Sequence, residues 1–145
     1  MPIEDDPSIS NEAIVLRVLL PDWITTKGGR TRPTSHALLE LGGTGECSCF
    51  LSSETILVKL ANKFPGKSVA AIPAMVLRQN NFAVRRQPDD CPEDLIDEHG
   101  IHVVIGPKDQ CNNHQTEKRA RAIVTDARVT IHTLATEIGA GEAAG

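Results

Sequence analysis

The stretch AIVLRVLL, residues 13–20, is an apolar run that only Arg17 interrupts. It is rich in β-branched residues and ends at Pro21, which predicts a strand that is covered on both faces. Further short apolar runs predict more strands, and they are ECSCFL (46–51), KSVAAIPA (67–74), FAVRR (82–86), IHVVIG (101–106) and RVTIHTL (128–134). These runs predict one sheet-based fold around the first strand.

Helical patterns lie between these runs. Ser52 or Ser53 can cap a helix over residues 54–64, whose apolar face comprises Ile56, Leu57, Leu60, Ala61 and Phe64. Pro73 suits the first turn of a short helix that reaches about residue 79, and helical spacing returns over 116–127. The segment 33–41 fits either a returning strand or a short helix. About five to seven strands with two to three helices predict an α+β (mixed α/β) fold.

Length and composition predict a single compact domain. The chain has 145 residues, of which 40% are hydrophobic, and this suits one core. Residues 1–10 and 135–145 contain little apolar surface to bury, so they are predicted to be flexible tails around a globular domain at 11–134. Six acidic residues and two prolines predict a surface loop at 87–100.

Charge and targeting signals argue against several classes of protein. A net charge of −4 does not favour charge-driven binding to nucleic acid, and an aromatic content of 3% without Tyr does not favour base stacking. The acidic N-terminus does not resemble a secretory signal, and no apolar run has the length of a membrane helix. The sequence therefore predicts a soluble, cytoplasmic protein with reduced cysteines.

The stretch WITTKGGRTRPTSHALLELGG, residues 23–43, is a candidate anion-binding site. Guanidinium groups, hydroxyls and glycine backbone recognise phosphate or carboxylate groups. The candidate ligand-binding residues here are Arg30, Arg32, Thr34, Ser35 and His36. The stretch matches neither of the glycine-rich phosphate-loop signatures. A solvent-exposed hairpin tip has the same composition, so both alternatives remain open.

Two charged or titratable residues lie within predicted strands. Arg17 interrupts an apolar run, where a cation must pair with an acid, extend to solvent or face a cleft, so it is a further candidate ligand-binding residue. His102 follows the acidic loop and is a candidate catalytic acid or base, although a structural histidine fits the same position.

Candidate metal ligands occur at two places. Cys47 and Cys49 would share one face of a strand, and Cys111 with His114 has a spacing that zinc sites use. Two small core side chains explain the first pair equally well. No metal site is assigned, and zinc remains an alternative.

The chain resembles a group of small bacterial proteins that have no assigned activity. The similarity lies in LRVLLPDW (16–23), GRTRPTSHAL (29–38), SVAAIPAMVLR (68–78) and HVVIGPK (102–108). It covers most of the predicted domain and implies no particular chemistry.

The order of an arginine on the first strand and a later serine is similar to that in ADP-ribosyltransferase-like domains, including RES-type toxins that consume NAD. The resemblance implies that Arg17 holds a cofactor phosphate and that the catalytic Ser35 positions the nicotinamide ribose. It also implies a glutamate at the reacting centre, for which Glu40 and Glu46 are candidates. The chain lacks the Gly-Arg-Trp-Asn-like block of RES proteins and has no Tyr.

Two functional hypotheses follow. The first is a non-catalytic interaction or accessory protein whose partner is another protein. The second is a domain that binds or transforms a phosphorylated ligand, such as a nucleotide or NAD, through Arg17, Arg30, Arg32, Ser35 and His102. The first is preferred because three catalytic roles cannot be assigned from these residues.

Overall fold

The computed structural model describes residues 2–39, 47–87 and 102–134. Its strands are β1 (Ile14–Leu19), β2 (Ile24–Lys27), β3 (Arg30–Pro33), β4 (Cys47–Leu51), β5 (Ser68–Pro73), β6 (Phe82–Arg86), β7 (His102–Pro107) and β8 (Thr130–Thr133). Its helices are α1 (Glu54–Lys63), α2 (Ala74–Gln79) and α3 (Asn113–Thr125), with 3-10 turns at Pro21–Trp23 and Ser35–Leu38. The predicted α+β class is confirmed.

Six strands form one antiparallel sheet in the order β6-β7-β4-β1-β5-β8. β2 and β3 form a separate hairpin, which raises the number of described strands above the predicted range. The hairpin reverses at Gly28 and Gly29, whose φ angles of 60° and 77° are easily adopted by glycine. The ambiguous segment that begins at Pro33 continues, within the described residues, into a 3-10 turn.

Both faces of β1 are covered, as its apolar run predicts. Val15 and Leu19 point into the larger core, which contains buried residues of α2 and α3. Leu16 points to the opposite face, where Ile56 and Leu60 of α1 are fully buried. The alternation of side chains along a strand accounts for both cores.

Side-chain caps begin the two longer helices. Ser53 Oγ accepts a hydrogen bond from the Ile56 amide at 3.1 Å, so of the two predicted cap residues Ser53 is the one used. Asn112 and Gln115 form a reciprocal capping box. Because of this capping box, α3 begins at Asn113, before residue 116, where the apolar spacing predicts the start of the helix.

The N-terminal segment packs along the β6 edge of the sheet. Ile3 and Ile9 are buried, and the Asp6 amide donates to the Val84 carbonyl at 2.9 Å. Asp5 pairs with Arg78 as well. Residues 2–10, whose composition predicts a flexible tail, are therefore held by two apolar anchors and by charged contacts. The predicted tail at 135–145, and the predicted loop except for Gln87, lie outside the described residues.

Candidate functional site

The Arg17 side chain donates hydrogen bonds to two backbone carbonyls on the face of the sheet that forms the larger core. Its Nε donates to the Ala37 carbonyl at 2.8 Å, and its Nη1 donates to the Ser48 carbonyl at 2.9 Å. The guanidinium carbon lies 5.1 Å from the centre of the Trp23 ring. Arg17 thus satisfies its charge through carbonyl dipoles and an aromatic face.

Arg30 is bound to the C-terminal end of α3. It donates to the carbonyl oxygens of Thr125, Asp126 and Val129 at 3.1, 2.7 and 3.0 Å. A guanidinium at this position satisfies carbonyls that lack helical partners and complements the negative end of the helix dipole. Its place on the hairpin fastens β3 to α3.

The other residues of the predicted anion site do not share these contacts. Arg32 is half-buried and makes no hydrogen bond or ion pair with another described residue, while His36 is exposed and Ser35 is half-buried. Thr34 Oγ1 is buried and lacks a hydrogen-bond partner among the described residues. Glu40 and Glu46 lie outside the described residues.

Arg17 and His102 lie on opposite faces of the sheet. Arg17 follows Val15 by two residues and shares its face, which belongs to the larger core. His102 contacts Ser48 and Phe50, which lie on the face that α1 covers. The predicted ligand-binding arginine and the predicted catalytic histidine therefore do not meet in one site.

His102 is 1% exposed and forms two hydrogen bonds. Its Nε2 lies 2.6 Å from Ser48 Oγ, and its Nδ1 lies 2.5 Å from the Gln87 carbonyl oxygen. The ring also packs against Phe50, with 5.4 Å between ring centroids. Ser48 itself is exposed. Sequence spacing does not single out Ser48, because its histidine partner lies 54 residues further along the chain.

The described cysteines do not assemble a metal site. Cys47 and Cys49 share one face, as predicted, and both are buried in the larger core. Burial raises the pKa of the Cys49 thiol to about 12. Cys111 Sγ lies 3.1 Å from Thr116 Oγ1. No group of three or more His, Cys, Asp or Glu in the described ranges is arranged to hold a metal ion.

A groove of about 600 Å³ lies between α1 and β8, on the face of the sheet that α1 covers. We call it the α1–β8 groove, and its apolar lining consists of Ile14, Leu16, Leu57, Val58, Ala61, Ala71 and Leu134. Val58 is 61% exposed and Leu57 is 37% exposed. Leu57, which helical spacing places with the core residues, therefore lines a cleft that is open to solvent.

Polar groups at the groove lie mainly along the β8 side. They are Ser52, Asn62, Arg128, Thr130, His132 and Thr133. The described lining contains Arg128 and His132 but no acidic side chain. Arg128 also pairs with Asp126 at 2.8 Å, and hydrogen bonding from Arg128 lowers the pKa of the Asp126 carboxyl to about 2. The groove thus combines an apolar floor and helix wall with a polar rim.

β8 is the edge strand beside this groove. It pairs with β5 through the register Thr130–Ala71 to Thr133–Ser68, and in the described part of the chain no strand pairs with its other edge. Its sequence, Thr-Ile-His-Thr, contains neither proline nor a permanently charged residue. The sequence predicts a strand that contains His132. It predicts neither the α1–β8 groove nor the position of β8 at the edge of the sheet.

Comparison with known proteins provides no relative. Among the described helices, none is long and apolar enough to cross a membrane. No known family model, curated protein or solved structure matches the chain.

Proposed function

We propose that the protein is an accessory protein that binds an extended segment of a partner protein along β8. The segment adds a strand to the sheet through backbone hydrogen bonds, and its alternate side chains enter the α1–β8 groove. The observation that supports this proposal is an open apolar groove next to an edge strand whose outer edge pairs with no described strand.

The two edge strands of the sheet, β6 and β8, differ in the contacts that cover their outer edges. At the β6 edge, the Asp6 amide donates to the Val84 carbonyl and Asp5 Oδ1 accepts from the Val84 amide at 3.0 Å. Proteins commonly protect edge strands with charges, prolines or covering segments, since an open edge pairs readily with other chains. β8 contains neither proline nor a permanently charged residue, and β3 contacts it without pairing with it, which leaves its backbone edge available for binding.

The lining of the groove defines the chemistry of the partner segment. Leu57, Val58 and Ala61 offer an apolar wall, so we expect apolar residues at alternate positions of the segment. The rim is polar, and Arg128 on it is already paired with Asp126, so we expect an uncharged polar residue near one end of the segment.

A second copy of the chain fits this site less well. Antiparallel pairing of two β8 strands would bring their Thr130 and His132 side chains together on the groove side. These polar side chains would leave Val58 of both copies exposed. A segment with apolar side chains buries this surface and gains the free energy of removing it from water.

Binding of a phosphorylated ligand finds less support than partner binding. Arg17 and Arg30 direct their hydrogen bonds to backbone carbonyls, and Arg17 lies on the opposite face from His102. A phosphate would have to displace these carbonyls, which would lose their charged donors.

Selection from a displayed library of random decapeptides tests the proposal. We expect the protein to enrich peptides with alternating apolar residues, and Val58→Asp to weaken binding of the selected peptides at least tenfold, because a carboxylate would stand in the apolar wall. Leu20→Asp is the matched control, since Leu20 is 49% exposed and lies outside the groove lining. Both positions are exposed, so both variants are expected to fold.

Three outcomes would count against the proposal. The first is a library without enriched sequences. The second is peptide binding that Val58→Asp and Leu20→Asp affect equally. The third is a concentration-dependent dimer of the wild-type protein that Val58→Asp dissociates, which would identify a second copy as the occupant of the groove.

A further inference from the structure

The hydrogen bonds of His102 define the protonation pattern of its neutral ring. A backbone carbonyl can only accept, so Nδ1 must carry the hydrogen that it donates to Gln87. Nε2 of the neutral ring is then an acceptor, and the Ser48 hydroxyl donates to it over 2.6 Å. The serine hydroxyl thus points its proton at a base that a third group orients.

The environments of the two residues suit different roles. His102 is almost completely buried and packs against Phe50, whereas Ser48 is exposed on the same face of the sheet. Both lie within paired strands, with Ser48 opposite Val104 and Phe50 opposite His102. Arg17 fixes the Ser48 carbonyl from the other side of β4. Regular strands hold such pairs more rigidly than loops do.

We propose that Ser48 is a nucleophile that His102 activates and that the site hydrolyses carboxylic esters. A serine, a base in hydrogen-bond contact and a group that orients the base are the arrangement that nucleophilic catalysis requires. The Gln87 carbonyl takes the orienting role that a carboxylate has in many hydrolases. This activity is additional to partner binding at the α1–β8 groove, and neither proposal depends on the other.

The reaction needs no co-reactant besides water. Ser48 Oγ attacks the ester carbonyl carbon, and its proton moves to His102 Nε2. The bond to the alcohol oxygen breaks, this proton passes to the leaving alcohol, and an acyl group remains on Ser48 Oγ. Water then attacks the acyl carbon, giving its proton to His102 Nε2. The bond to Ser48 Oγ breaks, Ser48 recovers its proton, and a carboxylic acid is released.

A fluorophosphonate probe and p-nitrophenyl acetate test the proposal on the full chain. We expect the fluorophosphonate to label one serine, which peptide mapping by mass spectrometry identifies as Ser48. The rate of p-nitrophenyl acetate hydrolysis is expected to fall about 100-fold or more in Ser48→Ala, because the variant lacks the nucleophile and leaves His102 no hydroxyl to activate, and a positioned general base alone contributes about 10²–10⁴-fold. Ser10→Ala is the matched control, because Ser10 is exposed and lies outside both the groove lining and the Ser48–His102 pair.

A second variant covers the case in which Ser48→Ala does not fold. In Ser48→Cys, a thiol replaces the hydroxyl beside His102, and we expect iodoacetamide to alkylate position 48 at least tenfold faster than Cys111. Labelling that is absent from Ser48, or hydrolysis that is equal in wild type, Ser48→Ala and Ser10→Ala, would overturn the proposal. So would alkylation of the Ser48→Cys variant that is no faster at position 48 than at Cys111. The pair would then serve only to hold β4 and β7 together.

Discussion

Arg17 Nη1 donates to the Ser48 carbonyl oxygen at 2.9 Å, just beyond the point where β1 and β4 cease to pair. The two strands are in register at Val15–Leu51 and Leu16–Phe50. The Ser48 carbonyl therefore receives a guanidinium as hydrogen-bond donor, and Nε of the same group binds the Ala37 carbonyl at 2.8 Å. Arg17 fills the gap between the sheet and the 3-10 turn at Ser35–Leu38.

Arg17→Ala is expected to lower the free energy of unfolding by about 3 kcal/mol, because two carbonyls lose charged hydrogen-bond donors. Urea unfolding is the measurement, and Trp23, the single tryptophan, is the fluorescent reporter. Arg17→Lys keeps the charge but cannot reach both carbonyls in the same fork geometry, so we expect an intermediate loss. A change below 0.5 kcal/mol, roughly the scale of neutral surface substitutions, would contradict this role.

Arg30 and Arg32 form a matched pair on β3. Arg30→Ala removes three hydrogen bonds at the end of α3 and is expected to destabilise the protein by about 2 kcal/mol. Arg32→Ala removes no hydrogen bond to a described residue, so its effect is expected to stay within about 0.5 kcal/mol. Thermal unfolding of both variants distinguishes them. Equal stabilities would show that the hairpin is not fastened through Arg30.

Asp126 is expected to make the free energy of unfolding depend on pH in the acid range. Its folded pKa of about 2 lies below the ordinary value of 3.8, so its stabilising contribution is complete above pH 4 and is lost as the pH falls through about 2. Asp126→Asn keeps an oxygen acceptor but removes the charge that faces Arg128. We expect it to cost about 1 kcal/mol at pH 7, because the ion pair is partly exposed.

The pH dependence of this difference is the test. The gap in unfolding free energy between wild type and Asp126→Asn should close as the pH approaches 2. Asp22→Asn is the control, since Asp22 is exposed and forms no ion pair within the described ranges. A gap that stays constant from pH 7 to pH 2 would assign the effect to the amide rather than to the lost charge.

The three cysteines within the described residues are expected to react unequally. Cys47 and Cys49 are buried, and burial raises the pKa of the Cys49 thiol to about 12, so neither is expected to react with a thiol reagent before unfolding. Cys111 is partly exposed and should react in the native protein. Alkylation followed by peptide mapping measures each site. Native-state modification of Cys49 at the rate of Cys111 would contradict the described core.

Much of the fold was predictable because local patterns carry it. The apolar run at residues 13–20, the cap at Ser53 and the proline before α2 each specify an element through nearby residues. The N-terminal segment was not predictable in this way. Its two buried isoleucines, Ile3 and Ile9, stand among acidic residues and find their partners on distant strands.

The candidate sites were harder to predict because they depend on which strands become neighbours. Ser48 and His102 meet only because β4 pairs with β7, and sequence spacing does not specify that pairing. Similarly, helical spacing places Val58 on the polar side of α1. Val58 lines the groove because β8 lies next to β5 in the sheet. Arg17 and Arg30 were identified as candidates from the sequence. Their partners could not be predicted, because every residue has a backbone carbonyl and no residue type marks the ones that bind.

Partner binding along β8 is tested most directly by methylating the backbone nitrogens of a selected peptide one at a time. A strand added to a sheet directs every second N–H toward its neighbour, so methylation is expected to weaken binding at least tenfold at alternate positions and to change it little at the positions between. Fluorescence anisotropy with the wild-type protein measures each affinity. Equal sensitivity at all positions, or at none, would contradict strand addition at β8.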